Sequence, residues 1–232
     1  MTPTLAVDDL RFAVALSARR RTIELSVERD GALVVRAPEG ATTARLEAFI
    51  REKRGWLYRK VAEKNAVRHA VPVKKYVSGE GFPYLGRSYR LLLVDAQDVP
   101  LRLGAGRFRL VRSEAPQGRA HFVRWYTEHG RIWLRRRVTA LAPRVGVEPT
   151  GIEVRELGYR WGSCGRNGTL NFNWTTVLLP PSIVEYVVIH ELVHLHERNH
   201  TPKFWTRVER AMPDYARRKT WLAERGAIFV AV

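Results

Sequence analysis

Residues 182–196, SIVEYVVIHELVHLH, constrain this chain more than any other stretch. Ile183, Val184, Tyr186, Val187, Val188, Ile189, Leu192, Val193 and Leu195 are apolar nearly all round a helical period, which marks a helix buried on most faces. Ser182 with Glu185 three residues on forms an S-x-x-E capping box, so the helix is expected to begin at Ile183 and run to about His196. Into this apolar segment the sequence sets His190, Glu191 and His194. Unpaired, a buried carboxylate and two imidazoles would be costly, so something has to satisfy them, and a metal ion does so directly.

Residues four apart sit about 40° apart around an α-helix, so His190 and His194 aim at one point with Glu191 beside them. This is the H-E-x-x-H arrangement: zinc lowers the pKa of a water to about 7, and an adjacent carboxylate takes the proton as hydroxide attacks a carbonyl. A catalytic zinc takes a third protein ligand. His196 lies about 200° from His194 around the helix and is assigned to packing or surface. His200 falls beyond the helix end, where the chain can turn back at Arg198-Asn199, and Thr201-Pro202 then opens another helix with an N-cap and a proline in first position. His-x3-His-x5-His is also the metzincin spacing, although Glu197 stands where that motif has glycine, leaving Asn199 to make the bend. Structural zinc sites more often recruit cysteine, so the expected centre is catalytic: Zn2+ on His190, His194 and His200, with Glu191 as general base. Cys164, the one cysteine, reads as a small buried residue.

Elsewhere the chain reads as α+β. Thr22–Glu28 and Ala32–Arg36 flank an Asp30-Gly31 turn, a hairpin pattern. From Thr42/Thr43 to about Lys64, Leu46, Phe49, Ile50, Trp56, Leu57 and Val61 alternate with six Lys and Arg residues, predicting one basic amphipathic helix. Strand patterns follow at Tyr89–Val94, Leu101–Leu103 and Phe108–Val111. Ser113–Arg119 is polar and places a boundary between a β-rich N-terminal domain with one basic helix, residues 1–115, and a helical catalytic domain, residues 116–232. In the second, residues 120–141 read as an Arg-rich helix weakened at Gly130, and Ile152–Asn173 as short strands with glycine turns. No internal repeat is evident.

Charge bears on partners. Forty Lys and Arg against 23 Asp and Glu give a net charge of +17, a balance that suits contact with nucleic acid or reflects an arginine-rich, solvated surface. The basic helices at 45–64 and 124–137 are the candidate phosphate-docking faces. No apolar run approaches the ~18 residues of a membrane span, and the single cysteine gives no disulfide framework, so a cytoplasmic protein is expected.

Residues 156–225 resemble the SprT-like/YgjP-like metallopeptidases of the zincin superfamily. The resemblance rests on Tyr159-Arg160-Trp161-Gly162-Ser163-Cys164, Leu170-Asn171-Phe172-Asn173-Trp174, Tyr186-Val187-Val188-Ile189-His190-Glu191-Leu192, Asn199-His200-Thr201-Pro202-Lys203-Phe204-Trp205 and Pro213-Asp214-Tyr215. Weaker similarity extends to Arg19–Arg36 and Tyr84-Leu85-Gly86. The resemblance implies a zincin-like fold, its metal-site helix packed on a small sheet; ligands His190, His194 and His200; a catalytic Glu191; and strands Arg160–Trp174 flanking that helix, where an extended peptide could lie. Val193 departs from a cysteine common in relatives, at a position that ligates nothing. Arg160, Tyr186 and Tyr215 are candidate oxyanion or substrate-binding groups, among which the sequence does not choose. Trp161, Phe172, Trp174 and Trp205 read as core, and Met212 as a gap-filler beneath the site. The expected function is a zinc metallopeptidase acting on protein or peptide; the alternatives are a protease of DNA-bound proteins and a zinc hydrolase of a non-peptide bond.

Overall fold

The structure, a computed structural model, describes residues 3–28, 31–66, 74–158 and 160–230. Among them the fold is mixed α+β, with three small sheets and six α-helices. The chain divides into two compact units, Met1–His69 and Ala70–Val232.

In the first unit β1 (Thr4–Val7), β2 (Leu10–Leu16), β3 (Glu24–Val27) and β4 (Leu33–Ala37) form a sheet ordered β1-β2-β4-β3. The expected hairpin is β3–β4, antiparallel with Val27 opposite Leu33; Asp30 of its turn lies outside the described residues. The single basic helix expected from Thr42 to Lys64 is instead two, α1 (Thr43–Glu52) and α2 (Arg54–Ala66). Lys53 leaves helical geometry at φ −92°, ψ 8°, its N–H shared between the carbonyls of Arg51 and Phe49. Leu57 thereby shares a core with Leu46, Ile50, Phe12 and Val35, whereas Trp56 remains exposed.

The second unit opens with β5 (Gly81–Tyr84), β6 (Arg87–Val94), β7 (Leu101–Gly104) and β8 (Arg107–Val111), ordered β5-β6-β8-β7. This repeats the first sheet: two antiparallel hairpins whose second strands pair in parallel, β2 with β4 and β6 with β8. Each sheet is followed by a helix, here α3 (Gly118–Val145). The boundary expected at 115/116 falls inside this unit, because the sheet and α3 share a core. Phe82 stacks on Phe122 at 3.9 Å between ring centroids, Phe108 meets Phe122 and Trp125 at 4.9 Å, and the Tyr126 hydroxyl donates to the Pro83 carbonyl at 2.8 Å. Gly130 does not interrupt α3; it is buried where a Cβ would lie 3.1 Å from Val177, so its small size serves close packing.

A third sheet, β10-β11-β9, comprises β9 (Gly151–Arg155), β10 (Gly162–Cys164) and β11 (Thr169–Asn173), and a 3-10 turn, Trp174–Leu178, leads from it to α4 (Pro181–Val193). α5 (Pro202–Ala211) and α6 (Tyr215–Arg225) complete the unit. α4 is buried nearly all round, as its sequence demands. Its start differs from expectation: Pro180 is the N-cap and Pro181 the first helical residue, so Ser182 sits exposed inside the first turn without capping. A proline at this position lacks the N–H that a cap would satisfy. Glu185 is engaged elsewhere, by Arg137 at 2.6 Å and Arg218 at 3.5 Å. The end also differs, at Val193 instead of His196, the last turn tightening as the Leu195 and His196 N–H groups bond to Leu192 and Val193.

The approach to α4 is held by the β5–β6 turn. Leu85 (φ 49°) and Gly86 (φ 75°) donate their N–H groups to the carbonyls of Val177 and Leu178, and a Cβ on Gly86 would lie 2.8 Å from the Pro180 Cα. Gly86→Ala therefore meets both backbone strain and a backbone clash and should cost about 3 kcal/mol. Gly106→Ala, at φ 72° with open space around it, should cost about 1 kcal/mol. Urea unfolding of both variants checks this; equal losses would show that the turn is not docked on the α4 approach.

Candidate metal centre

His190 projects from the last turn of α4, and His194, the C-cap, keeps helical angles (φ −64°, ψ −16°), so their four-residue spacing works although the helix ends early. The chain then turns back through residues 195–199 to His200. Thr201 caps α5 as expected, its side chain accepting from the Phe204 N–H, with Pro202 in the first turn. This start sets His200 against the other two imidazoles. Ring centroids are 4.9 Å apart for His190–His194, 4.9 Å for His190–His200 and 4.8 Å for His194–His200. Phe204, fully buried, lies 4.6–4.9 Å from all three rings and forms their floor. Trp205 stacks on His200 at 5.7 Å, and Tyr215 on Trp205 at 5.7 Å.

The donor set suits a metal ion. The ligand nitrogens of the triad all lie within 4.8 Å of one another, and the Nε2 atoms of His190 and His200 are 2.9 Å apart. A tetrahedral ion with bonds of about 2.1 Å separates its ligand atoms by about 3.4 Å, within that range. Two imidazole nitrogens approach so closely only with a proton or a cation between them. The Glu197 carbonyl, 3.0 Å from His194 Nδ1, can only accept; it therefore holds the proton on Nδ1 and leaves the Nε2 lone pair for the ion. His190 Nδ1 is buried without a hydrogen-bond partner among the described residues. Burial, with the neighbouring histidines second, pushes the His190 pKa down to about 3, and burial lowers those of His194 and His200. All three are thus neutral and able to ligate at neutral pH.

Glu191, 5% exposed, lines the same cavity, which has a volume of about 910 Å³. Burial pushes its carboxyl up to about 8, opposed by the charge of Arg160. Its place depends on Gly162 of β10, where a Cβ would stand 2.8 Å from Glu191 Oε1. Ahead of β10, the Glu156 carboxylate accepts from Trp174 Nε1 at 2.8 Å, Asn173 Nδ2 at 3.3 Å and the Gly158 N–H at 3.1 Å. The Trp161 carbonyl accepts from Thr176 Oγ1 and the Asn173 N–H. These bonds set the loop that delivers Arg160 and Trp161 to the cavity wall; Tyr159 lies outside the described residues.

Of the candidate polar groups, Arg160 and Tyr186 line the cavity, whereas Tyr215 stands behind Trp205. Burial, Glu191 and Tyr215 raise the Tyr186 phenol to about 12. His196 is exposed and reaches the Val145 carbonyl at 3.2 Å, away from the triad as expected. Phe172, Trp174 and Met212 are buried core, but Trp161 and Trp205 serve the site as well as the packing. Cys164 is half-buried on the cavity wall, its thiol pushed up by burial and by Glu191. Sequence reasoning missed Phe204 as floor, Gly162 and the Glu156 anchor. Only Phe204, four residues past His200, carried a positional signal.

The sequence model of the family described as YgjP-like, metallopeptidase domain, matches residues 21–225. None of the curated proteins matches the chain. Among solved structures, the metallopeptidase zymogen of Pyrococcus abyssi abylysin is 22% identical, covering 36% of this chain and 85% of its own, with a TM-score of 0.34.

Depressed histidine pKa values have a measurable consequence. Three histidines titrating near 6.5 would lose roughly a hundredfold in zinc affinity between pH 6.5 and 5.5 as protons compete with the ion. With all three pKa values lowered by burial, the loss should be clearly smaller than that, read by chelator competition. A hundredfold loss would contradict the buried, neutral triad.

Proposed function

This chain belongs to the YgjP-like metallopeptidase family, and we propose that it is a zinc-dependent peptidase in which His190, His194 and His200 hold the ion and Glu191 is the general base. The observation that carries this reading is three neutral imidazoles converging beside a buried carboxyl on the wall of one open cavity. A bound zinc supplies Lewis acidity there, lowering the pKa of water to about 7 and polarising a carbonyl. Glu191, beside His190 and backed by Gly162, takes the proton from the attacking water and passes it to the leaving amine. Its carboxyl stands at about 8 by burial, and a cation held at the triad would lower it toward neutral pH, where a group can both accept and return a proton. Tyr186 stays protonated at neutral pH and donates to the developing oxyanion, with Arg160 as second donor.

The substrate is protein or peptide. Strand β10, at the edge of its sheet and lining the cavity, supports an extended peptide laid along it, in a zincin-like arrangement with α4. No helix among the described residues is long and apolar enough to cross a membrane. The reading in which DNA-bound proteins are the substrates rests on the net charge of +17 and the exposed Arg124, Arg131, Arg135 and Arg136 of α3. Activity on a DNA-binding protein, with and without duplex across a salt series, tests it.

Glu191→Gln should keep stoichiometric zinc and lose at least about a hundredfold in kcat on a protein substrate; full activity would remove Glu191 from the chemistry. Gly162→Ala should likewise keep the metal but lower kcat, because the new methyl displaces the carboxyl. Unchanged kcat would show that the contact does not position it.

A further inference from the structure

Two loops that flank the triad put arginines on the cavity wall. Arg166 occupies the turn between β10 and β11, and Arg198 lies between His194 and His200. Both are exposed, and among the described residues neither forms an ion pair; the Arg198 guanidinium donates only to the Arg166 carbonyl, at 3.5 Å. Nearby carboxylates are committed elsewhere: Glu197 to Arg207 at 3.8 Å, Glu156 to Trp174 and Asn173. Among the described residues, Glu191 is the one acid on the wall. Lys219, over the Trp205 ring at 3.9 Å, adds positive field at His190 and His200. A cavity walled by one sign of charge concentrates ligands of the other.

Resting on the peptidase reading, we propose that the cavity selects acidic peptides, with Arg166 and Arg198 receiving a carboxylate of the substrate. The position follows from β10. Glu191 touches the strand at Gly162 and the turn bearing Arg166 begins after Cys164, so a peptide extended at about 3.3 Å per residue brings its carboxylate to the arginines about two to four residues from the scissile bond. Guanidinium is suited to this task because its fork of donors matches a carboxylate in two bonds. Two sources offer that chemistry, an Asp or Glu side chain and a peptide C-terminus.

The test uses the zinc-loaded full chain and capped fluorogenic peptides that differ only in one residue, Glu, Gln or Lys, moved stepwise from the cleavage site. Expected is a kcat/KM about tenfold higher for Glu than for Gln at one or two positions, with Lys lowest, the spread shrinking at high salt. Arg166→Glu/Arg198→Glu should reverse the order. An uncapped Gln peptide that matches the capped Glu peptide assigns the carboxylate to the C-terminus. Equal rates for all three residues, or a preference that survives the double variant, overturns the proposal and leaves the peptidase reading standing. If no peptide is cleaved, that reading fails instead, and anisotropy with the same peptides still decides: Glu must bind more tightly than Lys in the wild type and less tightly in the double variant. An oligonucleotide of equal charge that binds more tightly than the peptide, and loses this in the double variant, gives the arginines to phosphate and overturns the proposal.

Discussion

A carboxyl and an imidazole held inside the buried, apolar part of a helix set the terms for everything packed around them. α4 shows almost no face to water, so Glu191 and His190 lose their hydration and are pushed toward their neutral forms, one up to about 8 and the other down to about 3. Each neighbouring element relieves part of that burden or depends on it. Gly162 gives Glu191 room, Phe204 floors the three rings, and the Glu197 carbonyl fixes the proton on His194. The β5–β6 turn, far along the chain, secures the approach to α4 by bonding to Val177 and Leu178.

Much of this was legible in the sequence because it obeys local rules. The apolar run with His190, Glu191 and His194, the Thr201-Pro202 start that returns the chain to His200, and the β3–β4 hairpin each follow from spacing and turn chemistry within a few residues. Local rules also misled where two competed. Ser182 and Glu185 satisfy the capping pattern, but Pro180-Pro181 begins the helix first and Arg137 takes the glutamate. The basic segment after Thr42 has one period throughout, yet Lys53 breaks it in two. The polar stretch before α3 looks like a linker, yet Phe82, Phe108 and Phe122 close a single core across it.

The repeated sheet was invisible for a different reason. Its defining bonds are the parallel pairings of β2 with β4 and β6 with β8, between strands that are not neighbours in sequence, and no residue pattern announces such pairings. The two copies share strand order and pairing directions while their side chains differ, so the similarity resides in backbone hydrogen bonding.

The floor of the triad carries one more implication. Phe204 and His200 belong to the same short stretch, separated only by the cap and the first turn of α5, so the third imidazole is in register only while that turn is wound. Winding α5 and gathering the three histidines are then a single equilibrium, and an ion that holds the rings together also holds the helix. A metal ion at the triad would in this sense be a fastening between two helices.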